Sequence, residues 1–392
     1  MPNPDRWKLP EGIDEVLPAQ ARQIETLRRN LLNLFESWGY DLVITPMVDF
    51  LDSLLTGTGH DLDALTFKLI DPLSGKLLGL RADITPQAAR IDARQSRPGL
   101  PTRLCYLGTV LRTEPYGLGG TRSPLQVGAE LYGHEGVESD IEVLCLMLET
   151  LQTTGVQDIH LDLGHVGVVR GLLEAGGLSD EQAEEISESL QRKDAVELQD
   201  GLKRSAISPP LAAVLTQLID LNGDFSVLDE ADAALGRISP GIVQALAELK
   251  AIATAISLRL PNIPVHVDLA EVRGYAYHTG VMFAAYVPAH GQAIARGGRY
   301  NGIGKVFGRP RPATGFSTDL RTLVALCSQH NDVKGIFAPW SDDPGLLHTI
   351  EQLRRQGERV VVSLPGQSGG AQELGCDREL VRQGDQWVCV AI

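Results

Sequence analysis

Between residues 18 and 38 the apolar positions recur at helical spacing. Ile24, Leu27, Leu31, Leu34, Phe35 and Trp38 share one face, and Gly39 ends the run. The spacing predicts an amphipathic helix. "YDLVITP" follows with the apolar–polar alternation of a half-buried strand, and Pro46 stops it because proline has no N–H to donate. "KLLGLRADITPQAARIDA" (76–93) predicts a strand, a tight turn and a helix whose first turn holds Thr85 and Pro86. "RLCYLGTVLRTEPYGLGGTRSPLQVGAELYG" (103–133) predicts two strands joined by a glycine-rich loop, and "IHLDLGHVG" a further alternating strand.

The texture changes from about 168 to 260, where Leu, Ala, Glu and Gln recur in long helical periods broken at "ISPP" and "ISPG". This predicts an inserted helical subdomain. Strands return at "PVHVDLAEVRGYAYHTGVMFAAYV" and "QAIARGGRYNG", and "GFSTDLRTL" (315–323) predicts a buried strand running into a helix. Residues 324–392 predict a compact strand–helix–strand unit with a final strand at "QWVCVAI". The whole reads as an α+β fold. A mostly antiparallel sheet flanked by helices occupies 1–323, with the helical insertion inside it, and a small α/β domain occupies 324–392.

Composition narrows the function. The chain has 392 residues, 43% of them hydrophobic, enough for more than one packed unit. A formal net charge of −15 gives no overall electrostatic footprint for a polyanion, so no nucleic-acid partner is expected. The five cysteines are odd in number and show no CxxC spacing, which predicts reduced thiols in a cytoplasmic protein, without a disulfide framework or zinc site. His160 and His165, the closest histidine pair, lie in an alternating segment that sends them to opposite faces, so no metal is expected there. No apolar run approaches the length of a membrane span, and the N-terminus lacks a signal-peptide core. "GLGG" lacks the Gly-Lys-Ser/Thr of a phosphate loop, and "GIGKVFG" lacks the strand–turn–helix setting of a dinucleotide site. No cofactor is expected, and spacing supports no Ser–His–Asp arrangement or other catalytic residue.

Four stretches in order, "LRADITP", "VLRTEP…LQVGAELYG", "VRGYAYHTG" and "ARGGRYNG", resemble the motifs of histidyl-tRNA synthetase, a class II aminoacyl-tRNA synthetase. Arg112 and Glu114 match the class II arginine–x–glutamate pattern, and the helix–strand unit ending at Pro46 is similar to the first class II motif, which in that family lies at a dimer interface. The resemblance implies a pocket for free histidine at Asp83, Thr85, Arg112, Gln126 and Glu130, with Arg273 for the carboxylate and Tyr277 and Tyr300 as aromatic walls. The chemistry agrees: an ammonium needs an anionic or amide oxygen, a carboxylate needs a cation, and each imidazole nitrogen needs a partner. Gln126 and Glu130, four apart in a strand, share a face. Without the resemblance these residues read as a hydrogen-bonded polar patch beside the core. Two positions depart from the family: Asp83 replaces a glutamate, and His278 replaces the second tyrosine of a pair.

The nucleotide half departs further. Gly120 stands where the family has an ATP-contacting arginine, while Arg122 remains. In "GFSTDLRTL", Asp319 replaces a small glycine and Thr322 replaces the motif arginine; Arg321 is one residue off, a turn of about 100° on a helix. An aspartate near phosphates repels them by about 4 kcal/mol per charge pair at about 4 Å and an effective dielectric of about 20. As a bland alternative, Asp319 caps the helix at "STDL". A synthetase fold with an amino-acid pocket, a degraded nucleotide site and a short C-terminal domain is similar to the regulatory subunits of ATP phosphoribosyltransferase, which act in the first step of histidine biosynthesis. That resemblance implies a short-form catalytic partner in a hetero-oligomer, expected to be a hetero-octamer, self-association as a dimer, and histidine as feedback effector. A second reading stays open at this point: an active histidine–tRNA ligase with a shortened C-terminal domain.

Overall fold

The structure is a computed structural model that describes residues 8–55, 60–95, 99–115, 120–205, 207–272, 277–327 and 334–392. The chain forms two compact units, 1–328 and 329–392. The expected boundary at 323/324 falls inside the helix Leu320–Leu326, whose Leu323 and Val324 are buried with the first unit's core.

The first unit is built on a nine-stranded sheet among the described residues. Its order is Asp41–Leu42, Thr102–Thr109, Leu125–Tyr132, Ala313–Asp319, His290–Arg299, Val281–Val287, His160–His165, Val265–Asp268 and Asn222–Gly223. Neighbours run antiparallel except at the first pair and where His160–His165 meets Val265–Asp268. Alternation sorts the two faces. Val127, Ala129, Phe283, Ala285, Ala295 and Phe316 point into one core with the helices Pro18–Ser37 and Val137–Thr153. Phe35 meets Phe316 there edge to face at 6.2 Å. The opposite face carries Gln126, Gly128 and Glu130, and the candidate site is built on it.

Between Val166 and Arg259 the described residues form six helices, from Val166–Ala175 to Pro240–Arg259, with the short strand Asn222–Gly223 among them. Their starts carry local signals: Ser179 and Gln182 form a reciprocal capping box, Asp194 accepts from Val196 and Glu197 N–H, and Ser239 caps a helix opening on Pro240. That helix, Pro240–Arg259, is long and apolar enough to cross a membrane by length and composition alone. Here it buries Ile242, Leu246, Leu249, Ile252 and Ile256 in the core. His165 ends its strand by capping the next helix, its Nδ1 accepting from Gly167 N–H at 3.0 Å, while Nε2 meets Glu248 at 3.0 Å. His160, on the other side of the strand, is exposed.

A buried ion pair fixes the strand that leads into the site. Arg299 donates from Nε and Nη2 to Asp140 Oδ2, and from Nη1 and Nη2 to the carbonyls of His134 and Gly136. Pairing both charges and satisfying the fork is what makes such burial tolerable. Beside the main sheet, Val48–Phe50, Leu77–Leu80 and Lys68–Ile70 form a small antiparallel sheet.

The second unit is a four-stranded sheet in the order Val360–Val362, Gly335–Ala338, Cys376–Gln383, Gln386–Ala391. The first two strands are parallel, joined through the helix Pro344–Arg355, and the last two form a hairpin. Ile336, Leu346, Ile350, Val360 and Leu380 make its core. The strand Cys376–Gln383 is absent from the sequence reading, because "CDRELVRQ" carries too many charges to show a clean period of two.

Candidate amino-acid site

Glu130 is the centre of the site and is 1% exposed. Its Oε1 accepts from Thr85 Oγ1 at 3.0 Å and from the Tyr106 hydroxyl at 3.0 Å, and its Oε2 accepts from the Tyr300 hydroxyl. Burial pushes the carboxyl up to about 8, against the pull of the three hydroxyl donors. Near neutrality it therefore keeps its proton while the pocket is empty. Glycines make room for it. Gly315 is the cross-strand partner of Glu130, and a Cβ there would collide with Glu130 Oε2; a Cβ on Gly128 would strike the Tyr106 hydroxyl.

The neighbouring segment 83–85 is tied to the same strand. Gln126 Oε1 accepts from Ile84 N–H at 2.9 Å, and Gln126 Nε2 donates to Asp83 Oδ1 at 2.8 Å. Asp83 Oδ1 also accepts from Thr85 N–H at 2.9 Å, which turns the chain into the helix Thr85–Gln95. On the far side Tyr277 stacks on Tyr300 with centroids 5.1 Å apart and planes 18° from parallel. His278 meets the edge of Tyr277, and burial pushes its imidazole down to about 4, so it is neutral at physiological pH. Arg112 Nε donates to Ala82 O at 3.2 Å, which places it at the rim formed by 81–83. Arg273 lies outside the described residues.

Asp83, Thr85, Gln126, Glu130, Tyr277 and Tyr300 are thus brought together, with Arg112 beside them. Sequence reasoning missed Tyr106 and Arg81. Tyr106 donates to Glu130 because register sets it opposite Gly128. Arg81 braces the floor by donating to Thr109 O and to Thr45 O and Oγ1. The strand alternation placed Tyr106 on this face, but its target depends on pairing, which no local pattern reports.

The nucleotide side is occupied by structural bonds. Asp319 caps the helix Leu320–Leu326: it accepts from Arg321 N–H at 3.1 Å, from Thr322 Oγ1 at 2.9 Å, and from Leu125 N–H at 2.9 Å across the sheet. Arg321 donates to Ser123 O at 3.2 Å. Arg122 donates from Nε to Arg112 O and from Nη1 to Glu11 O, each at 3.1 Å, and its guanidinium lies 5.1 Å from the Phe67 ring centre. Gly120 offers no side chain. Arg122 and Arg321 serve the chain's own carbonyls.

Residues 12–323 match the histidyl-tRNA synthetase family, and residues 333–390 match the C-terminal domain of ATP phosphoribosyltransferase subunit HisZ. The ATP phosphoribosyltransferase regulatory subunit of Alkalilimnicola ehrlichii is 55% identical over 98% of this chain and 97% of its own. A solved structure from Bacillus halodurans, described as an ATP phosphoribosyltransferase regulatory subunit/histidyl-tRNA synthetase, superposes with a TM-score of 0.83 at 26% identity over 95% of this chain and 97% of that one. Histidyl-tRNA synthetase from Nostoc sp. PCC 7120 shares the fold, with a TM-score of 0.80 at 20% identity over 98% of this chain and 97% of that one. With a synthetase-like body, a cap where the third motif's small glycine would stand, and a C-terminal unit of the HisZ type, the chain belongs to the family of ATP phosphoribosyltransferase regulatory subunits.

Proposed function

We propose that this chain is the non-catalytic regulatory subunit of ATP phosphoribosyltransferase, in the first step of histidine biosynthesis, and that it works in complex with a short-form catalytic subunit, as a hetero-octamer. The observation that carries this is the full-length similarity to regulatory subunits, C-terminal unit included. Histidine is the effector, held at the Glu130 cluster. Supporting that assignment are the buried carboxyl ringed by hydroxyls, the stacked tyrosine wall, and the Asp83–Gln126 pair beside it. To regulate, histidine must bind one arrangement of the complex better than the other; equal affinity shifts nothing.

Mixing the pure chain with a short-form catalytic subunit tests the reading. Turnover should rise on mixing and fall when histidine is added, while the chain alone should give no histidine-dependent exchange of pyrophosphate into ATP. Robust exchange by the chain alone would instead establish a ligase. Turnover that rises on mixing yet ignores histidine, with no binding heat, would leave a scaffold without an effector.

We place the chain in the cytoplasm, in keeping with its five free cysteines. We also assign it a dimer formed through the helix–strand unit ending at Pro46 together with the small three-stranded sheet whose first strand starts at Val48. Val48 and Phe50 on one strand and Leu69 on another expose apolar surface on one face, and Ile44 and Leu73 stand exposed nearby at 87% and 95%. Apolar side chains gathered in this way mark an association surface. Phe50→Glu combined with Leu69→Glu should halve the sedimenting mass of the isolated chain with little change in melting temperature. An unchanged mass would remove this face from the interface.

A further inference from the structure

The second unit carries an open groove of its own. The helix Pro344–Arg355 joins the parallel strands Gly335–Ala338 and Val360–Val362, and Val360–Val362 is the outer strand of that sheet. Helix and outer strand line a groove of about 670 Å³, whose apolar wall is Trp340, Leu347, Ile350 and Val362. Leu347, Ile350 and Arg354 recur every three or four residues, so they form one stripe along the helix. The wall is bare: Trp340 is 56% exposed and Leu347 52%. Charge is sorted to the two ends. Asp342 precedes the helix and is exposed, while Arg354 and Arg355 close it, and all three line the groove. The 12 residues of the helix, at about 1.5 Å each, set these ends roughly 18 Å apart. Glu351 is paired with Arg355, and Arg354 gives Nη2 to Val360 O, so the far end keeps an excess of one positive charge.

We propose that this groove binds the same groove of a second copy of the chain, as an interface separate from the face around the small three-stranded sheet. A surface that is negative at one end, apolar in the middle and positive at the other is complementary to itself after a half-turn, which is what a two-fold contact requires. In that arrangement Asp342 of each copy meets the Arg354 end of the other. The Leu347 and Ile350 stripes meet at the centre, and each Trp340 ring lies over the other copy's arginines, where its face attracts a cation. The two helices run antiparallel, so their dipoles also agree. The contact is made by side chains. The outer strand is only three residues long, and Arg354 already occupies Val360 O, so no continuous ladder forms there. An exposed tryptophan in an apolar groove is the kind of residue that dominates such interfaces. With two different isologous faces on each chain, the assembly closes at four copies.

Sedimentation of the full chain tests this in the Phe50→Glu, Leu69→Glu background, where the sheet contact is removed. That chain should still sediment as two copies, and adding Trp340→Glu with Leu347→Glu should leave one. Two further variants in the same background read the charges. Asp342→Lys makes both ends of the groove positive, and Arg355→Glu makes both negative, so each alone should sediment as a single copy. An equal mixture of the two should recover the pair, because each end then faces its opposite. That recovery also shows that both variants are folded. A background chain that is already single, a mass that ignores Trp340→Glu with Leu347→Glu, or a mixture that stays single overturns the proposal. Unchanged self-association with lost binding of the catalytic subunit also overturns it, and assigns the groove to that subunit.

Discussion

Replacing Glu130 by glutamine is expected to weaken histidine binding about a hundredfold and to make what remains insensitive to pH. Glutamine keeps the shape that Thr85, Tyr106 and Tyr300 surround. It loses the negative charge that an imidazole N–H would seek, and charge-assisted hydrogen bonds contribute about 1.5–3 kcal/mol each. The parent's pH profile follows from the burial of Glu130. With its carboxyl raised to about 8, binding that needs the carboxylate must first expel a proton. Affinity should therefore climb about fivefold between pH 7 and 8, about twofold more up to pH 9, and then level off.

Stability should move the other way. A folded-state pKa above the ordinary carboxylate value of 4.5 means that the native state binds more protons between 4.5 and about 8. The contribution is complete below 4.5 and fades as pH rises through 8. Glu130→Gln should then match the parent near pH 5 and melt higher than the parent at pH 9. Calorimetry in buffers of different ionisation heat, with melting curves at both pH values, reads each part. A parent whose affinity is flat from pH 7 to 8.5 would show that Glu130 does not carry the proton in question. Glutamine is the informative choice. Alanine would take a partner from three buried hydroxyls, leaving Thr85 and Tyr106 only each other, and would open a cavity, and the resulting instability would be confused with lost recognition.

Gly315→Ala should be the most damaging single methyl in the pocket. Its Cβ would run into Glu130 Oε2, and that carboxyl has nowhere to go, since three hydroxyls from three separate segments fix it. The added methyl would also press on Ala129 O, a backbone atom that cannot turn aside. Overpacking of this kind costs about 1–3 kcal/mol where the neighbours cannot yield, so the melting temperature should fall by several degrees and histidine binding should be lost. The cause can be isolated in a double-mutant cycle. Combined with Glu130→Ala, which removes the struck group, the Gly315→Ala penalty should shrink. Additive effects, or a Gly315→Ala protein as stable as the parent, would mean that the strands part to admit the methyl.

Much of this architecture is written in local pattern. Helical stripes and alternating strands locate the first helix, the central strands and the inserted helices, and a period of two puts Gln126 and Glu130 on one face. Other features depend on pairings that no window contains. Asp319 reads from the sequence as a helix cap or a repelling charge, and the structure shows it capping while also holding Leu125 N–H, 194 positions away. Tyr106 becomes a donor to Glu130 only through the register of Thr102–Thr109 against Leu125–Tyr132. Arg299, in the middle of "ARGGRYNG", gives no sign of its attachment to Asp140. "YDLVITP" contributes only Asp41–Leu42 to the sheet as a strand: Val43 N–H still bonds to Cys105 O, but the carbonyls of Thr45 and Pro46 are taken by the Arg81 and Gln87 side chains.

The seclusion of Arg299 and Asp140 bears on how the pocket tolerates its medium. Dissolved ions weaken attraction between charges that they can surround, and surface pairs such as Arg192–Glu197 and Lys203–Asp200 in the helical insertion are open to them. The Arg299–Asp140 contact is closed to electrolyte, with both side chains almost wholly out of solvent. Tyr300, the next residue along, is therefore anchored by a bond that brine cannot loosen, and the recognition wall should keep its position across the ionic strengths a cell encounters.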